Sequence, residues 1–214
     1  MTRAPQISRK RKWPAFAAGY GVFCALYMLT GRVHLQSATV LPLWAVDRFV
    51  PFIGWTVWIY HTQFFFLLVG VRMLKSTAII SRTLYSMGLA SLMSFAVFFF
   101  YPTKLPRASV EMGGLTALAF RFLYSIDADT NCFPSLHVAL ACLVALGVAE
   151  ERARFRAVAV IWAALISVST MTTKQHYFAD VMAGVCVAII CRAIAKRWLS
   201  DRAHHAPSRL ARKA

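Results

Sequence analysis

The chain has 214 residues, 59% of them hydrophobic, and a formal net charge of +16. That apolar fraction exceeds the half or so usual for a soluble domain, which argues against an ordinary soluble globular protein. The positive charge alone would suit nucleic acid, but it gathers in the tails and in alternate loops, so the expectation is a membrane protein with no nucleic-acid partner.

The basic residues 1–12 read as a cytoplasmic tail, with Arg3, Arg9, Lys10, Arg11 and Lys12. Apolar runs of roughly 14–23 residues follow, the fourth and fifth of them short and the others close to what a helix needs to cross about 30 Å of hydrocarbon. In chain order they cover Trp13–Thr30, Phe49–Val71, Leu84–Tyr101, Leu136–Ala149, Ala157–Met171 and Val181–Trp198. The expected fold is therefore all-α, an integral-membrane bundle of six transmembrane helices over residues 13–199, with both termini cytoplasmic. The first run follows basic residues as a signal peptide would, but it is long and has no small-x-small cleavage site after it, so it reads as a retained span. Residues 200–214 read as a second basic cytoplasmic tail, where His204 and His205 are expected to be solvated rather than to bind metal.

Between spans, Gly31–Arg48 reads as an outer loop with Trp44 and Leu41–Leu43 at the interface. Tyr60, His61, Thr62 and Gln63 fall near the middle of the second run and are expected to hydrogen-bond neighbouring helices. The longest connection, Pro102 to Ser135, contains an apolar stretch, Leu115–Tyr124, too short to span and suited to a re-entrant or interfacial helix. Five cysteines give no disulfide framework: Cys24, Cys142, Cys186 and Cys191 fall within spans, and Cys132 alone lies in a loop. With the N-terminus inside, 18 of the 24 Lys and Arg are cytoplasmic. Arg32, Arg48, Lys104, Arg107, Arg121 and Lys174 are outside, as the positive-inside rule prefers.

Ionisable groups at the rims of such segments are costly and need a reason. Asn131-Cys132-Phe133-Pro134-Ser135-Leu136-His137 opens the fourth run, and Lys174-Gln175-His176-Tyr177-Phe178-Ala179-Asp180 opens the sixth. His176 and Asp180 are spaced to share one helix face, where the carboxylate would orient the imidazole. Pro134-Ser135 suits a helix start, whose free N–H groups attract anions. In the six-span topology these residues share the outer side with Lys104, Arg107 and Lys174. Two imidazoles, a carboxylate and cations are the parts of a phosphoryl-transfer site: cations for the equatorial oxygens, one histidine as nucleophile, the other as acid and then base. The scheme needs no cofactor and no metal. A non-catalytic channel or transporter using His61, His137 and His176 as pathway groups is the rival from another class, and no broken repeat pair supports it.

At these residues the chain resembles the type 2 phosphatidic acid phosphatase superfamily of six-span lipid phosphatases and phosphotransferases, over roughly Tyr101 to Gly184. Pro134-Ser135-Leu136-His137 resembles its Pro-Ser-x-His motif, and His176-x-x-x-Asp180 its His-x-x-x-Asp motif. The resemblance implies that His176 is the nucleophile, Asp180 its orienting partner and His137 the general acid. Phosphate would be held by Ser135, Lys104, Arg107 and Lys174. Two departures stand out. The superfamily's lysine lies seven positions before an Arg-Pro pair, whereas Lys104-Leu105-Pro106-Arg107-Ala108 is compressed and lacks the second proline. The phosphatase branch also has Ser-Arg where this chain has Ser169-Thr170, so Lys174 would take the arginine's electrostatic part. Sphingolipid head-group transferases, such as inositol phosphorylceramide and sphingomyelin synthases, share that loss. The expectation is a lipid phosphate or phospholipid substrate, met in a bacterial inner membrane with the site facing the periplasm or exterior. Water or a lipid alcohol would be the acceptor. Lipid identity and oligomeric state are not legible in the sequence.

Overall fold

The computed structural model describes residues 5–33, 35–107, 113–127 and 129–200. The described residues form eight α-helices and a pair of two-residue strands: α1 Lys12–Thr30, β1 Thr39–Val40, α2 Ala45–Phe49, α3 Val57–Met73, α4 Thr77–Phe100, β2 Thr103–Lys104, α5 Gly114–Ile126, α6 Leu136–Glu151, α7 Arg156–Thr172 and α8 Phe178–Ser200. The strands pair in parallel, Thr39 with Thr103 and Val40 with Lys104. The tail from residue 201 onward, with His204 and His205, lies outside the described residues.

Six long helices stand where six apolar runs are read, but several boundaries differ. The second run begins at Val57, not Phe49. Pro51 disfavours helical backbone at Val50, which is extended with ψ 114°, so the chain breaks after the short α2 and restarts through a 3₁₀ turn at Gly54–Thr56. The third starts at Thr77 rather than Leu84, because Arg82 lies inside the helix instead of the preceding loop. The stretch expected to be re-entrant or interfacial is α5.

Among the described residues, four helical runs are long and apolar enough to cross a membrane: Lys12–Thr30, Thr77–Phe100, Ala153–Thr172 and Phe178–Leu199. Helices α3 and α6, of 17 and 16 residues, rise only about 26 and 24 Å. The shortness of α6 fits its place, because it packs against α3, α4, α7 and α8. A helix wrapped by others is apolar all round rather than on one stripe, and Ala139, Leu140, Ala141, Leu143, Val144 and Ala145 are all buried in the main core.

The two ends of the bundle differ in chemistry. At one end the Lys12 ammonium donates to the carbonyls of Leu74 (2.9 Å) and Arg72 (3.2 Å), capping the end of α3. Glu151 accepts from the Ser76 N–H (2.9 Å), and Glu150 pairs with Arg82 and Arg192, tying α4, α6 and α8 together. At the other end, the starts of α6 and α8 meet, with the Ser135 N–H donating to the Asp180 carbonyl (3.1 Å). Gly184 permits that approach. A Cβ there would stand 2.5 Å from the Ser135 carbonyl oxygen and 3.1 Å from Val138 Cβ. Gly184→Ala is expected to cost about 1–3 kcal/mol by overpacking. It should lower Tm in detergent and depress activity, because the backbone it displaces carries His137.

Candidate active site

His176 is placed by the end of α7. Lys174 takes the left-handed conformation (φ 60°), and the N–H groups of Gln175 and Lys174 donate back to the carbonyls of Thr170 (2.9 Å) and Met171 (3.1 Å). This is a Schellman-type stop. The His176 N–H shares the Thr170 carbonyl at 3.0 Å, so the imidazole leaves the chain at a fixed point. His176 itself precedes α8, so the pair is not one turn of helix as its spacing implies. Asp180 instead reaches back over the helix start and accepts from the Tyr177 N–H at 2.8 Å, the return half of a capping box. A carboxylate in the first turn also suits the helix dipole. From there Asp180 Oδ2 lies 3.4 Å from His176 Nδ1. Both side chains are buried, and neither His176 Nδ1 nor Asp180 Oδ1 has a well-formed hydrogen bond.

His137 projects from the first turn of α6. Ser135 is the N-cap of that helix, and its hydroxyl accepts from the Val138 N–H at 3.4 Å. The serine is fully buried, and its hydroxyl serves the cap rather than the pocket wall. The rings of His137 and His176 lie 6.2 Å apart, centroid to centroid. His137 Nδ1 is 3.4 Å from the Tyr60 hydroxyl, while His176 Nδ1 faces Asp180. Each ring therefore turns its Nδ1 to the protein, leaving Nε2 as the nitrogen that can meet a substrate between them.

The cations are less alike than their sequence suggests. Arg107 lines the pocket, stacks on the Tyr124 ring (4.6 Å), and donates to the carbonyls of Tyr124 (3.2 Å) and Asp127. Lys174 also lines it, but its ammonium donates to the carbonyls of Asp47 and Val50, tethering the segment between α1 and α3. Lys104 is exposed on β2 and is not part of the pocket wall. The same segment supplies Asp47, whose carboxylate accepts from the N–H groups of Trp44 (2.9 Å) and Phe178 (2.7 Å). Asp47 thus fastens the start of α8, a role that nothing in its local sequence signals.

The polar pocket between the histidines is also lined by Tyr27, Asp127, Asn131 and Gln175. It adjoins a larger apolar groove between α1, α3, α5 and α6. Tyr27, Asp127, Leu136 and His137 border both. On the groove's sides, Met28, Phe64, Phe122 and Ile126 are exposed. The four polar residues opening α3 do bond across helices: Tyr60 to Asp127, His61 to the Ala119 carbonyl, Thr62 to Trp162, and Gln63 to the His137 carbonyl. Among the described residues, no group of three or more His, Cys, Asp or Glu is arranged to hold a metal.

The sequence matches the family model described as the PAP2 superfamily over residues 24–194. The chain belongs to that superfamily of membrane lipid phosphatases and phosphotransferases. A curated relative, the inositol phosphorylceramide synthase catalytic subunit aur1 of Schizosaccharomyces pombe, is 33% identical over 93 residues, which is 40% of this chain. The chain spans only 22% of that relative's length. Compared with the crystal structure of Aquifex aeolicus LpxE, the fold gives a TM-score of 0.49 at 16% identity, covering 83% of this chain and 94% of that one.

Proposed function

We propose that the protein cleaves the phosphate ester of a membrane lipid through a phosphohistidine on His176. The observation that carries this reading is the meeting of His137 and His176 at 6.2 Å in a polar pocket, with Asp180 behind the second ring. His176 Nε2 attacks phosphorus in line, Asp180 holds the ring and stabilises its positive charge, and His137 Nε2 gives its proton to the departing oxygen. In the second half, His137 takes the proton of the incoming hydroxyl as the P–N bond breaks. Arg107 supplies positive charge at the pocket wall, joined by N–H groups in the first turn of α6. Lys174, Ser135 and Lys104 act less directly, the first two by fixing the backbone that bears the histidines and Lys104 through its field.

The groove beside the pocket favours a lipid over a soluble phosphate ester. The basic end of the bundle, with Lys12, Arg72, Arg82 and Arg192, is assigned to the cytoplasm by the positive-inside rule. The site then faces the periplasm or exterior, with six helices spanning and the shorter α3 and α6 sheltered by their neighbours.

Transfer to a lipid alcohol is the second reading. It is favoured by Thr170, which stands where the phosphatase branch has arginine, and by the 93-residue likeness to a yeast synthase subunit. The discriminating experiment incubates purified protein with labelled phosphatidic acid, an isoprenyl diphosphate, and a glycerophospholipid with ceramide. Free phosphate is the expected product if water is the acceptor, and a new phosphosphingolipid if an alcohol is. No release or transfer from any of the three would sink the catalytic proposal.

A further inference from the structure

Beside His137, a second acid sits in contact with two tyrosines. Asp127 follows α5; its Oδ1 accepts from the Tyr27 hydroxyl on α1 and its Oδ2 from the Tyr60 hydroxyl on α3 (3.1 Å). The Tyr60 oxygen is in turn 3.4 Å from His137 Nδ1, and the two rings lie 4.3 Å apart. A phenol has one proton to give. With that proton on Asp127, the Tyr60 oxygen accepts from His137 Nδ1–H. This tautomer points the Nε2 lone pair, or the Nε2–H of the protonated ring, toward the pocket.

Resting on the functional reading above, we propose that Asp127 and Tyr60 are positioning residues that hold His137 in its acid–base form. They do for the proton donor what Asp180 does for the nucleophile. The geometry carries this assignment: the three side chains come from α3, α6 and the segment after α5, yet form one continuous line of donors and acceptors. Arg107 fixes the far end by donating to the Asp127 carbonyl. The groups facing Asp127 are Tyr27 from α1, Tyr60 from α3, His137 from α6, and His176 from the segment before α8. Cys132 and Asp129 flank it on its own loop. Burial pushes the Asp127 carboxyl up to about 7, with the charge on His176 pulling it down. The line therefore ends on a group whose protonation responds to its neighbours rather than on a permanently ionised acid.

The proton balance is closed within the chain and the substrate. The Nε2–H bond of His137 breaks as the P–O bond breaks, and the proton leaves on the lipid alcohol. Neither Tyr60 nor Asp127 gives up a proton to the substrate; they keep Nδ1 protonated throughout. Their removal should therefore matter in proportion to how much the leaving group needs a proton.

The test compares kcat/KM of wild type, Tyr60→Phe and Asp127→Asn on two substrates. One is an alkyl lipid phosphate, whose alkoxide departs only when protonated. The other is an aryl phosphate, whose phenolate departs unaided. The ratio kcat/KM reads the steps through formation of the phosphoenzyme, so a slow second half does not blur it. The expected result is a loss of about tenfold or more on the alkyl ester, part of the 10²–10⁴ that general acid catalysis supplies. On the aryl ester the change should stay within about threefold. Equal losses on both substrates, or no loss on either, would overturn the proposal, because a merely structural role does not distinguish leaving groups. Wild type silent on both substrates overturns the functional reading itself. Should Asp127→Asn misfold, Tyr60→Phe interrupts the same line while keeping the ring and its packing.

Discussion

His176→Ala is expected to abolish phosphate release and transfer, with a loss of roughly 10⁴-fold or more, while the protein should still insert in membranes and elute as wild type does. The magnitude follows from the role. Removing a nucleophile deletes the covalent route itself, and the rate falls to what binding and electrostatics alone sustain. The fold should tolerate the change, because His176 Nδ1 has no well-formed hydrogen bond and the residue's position is set by its backbone contact to Thr170. Brief incubation of wild type with ³²P-labelled substrate followed by alkaline quench should trap label in the protein. That label should be stable to base and labile to acid, as a phosphoramidate is, and absent from the variant. Full activity in His176→Ala would place the nucleophile elsewhere and remove the mechanism at its root.

His137→Ala should separate the two halves of the reaction. On an alkyl lipid phosphate the loss is about 10²–10⁴-fold, the usual range for general acid catalysis. An aryl phosphate needs no proton on its leaving group, so it should still phosphorylate His176. The phosphoenzyme then meets water or alcohol with no base to take the proton. The expected trace is a burst of about one equivalent of phenol per site followed by a stall, the signature of an accumulating covalent intermediate. Labelled phosphohistidine should rise in this variant above its level in wild type. A steady aryl rate without a burst would mean that His137 is not the base of the second half.

Much of this site was legible because its motifs are compact. Pro134-Ser135-Leu136-His137 reads as a capped helix start, and α6 does begin there with Ser135 as N-cap. The spacing of His176 and Asp180 led to the right contact by the wrong geometry: Asp180 meets the ring by reaching back over the start of α8. What escaped the sequence is what depends on distant chain segments. Asp127, Tyr27 and Tyr60 come from three elements, and no spacing rule joins them. Tyr60 was hidden further by the boundary at Pro51. With the helix begun at Phe49, Tyr60 falls near mid-membrane, but with the observed start at Val57 it lies in the first turns, level with the histidines. Lys174 is the reverse case. A cation two positions from the histidine of a His-x-x-x-Asp motif reads as a phosphate ligand, yet its ammonium is engaged by the Asp47 and Val50 carbonyls. Composition cannot reveal that, because the partners are backbone atoms 124 or more positions away.

The groove that borders His137 has one more implication. Its flanks are greasy and exposed at the level of the helices, and its inner end is the polar pocket between the histidines. A lipid sliding in sideways keeps its chains in hydrocarbon throughout, so little hydrophobic free energy is gained or lost on binding. Encounter then happens in two dimensions. The concentration that sets the rate is the mole fraction of substrate in the leaflet, and diluting that leaflet with inert lipid should slow turnover even when the total amount of substrate is unchanged.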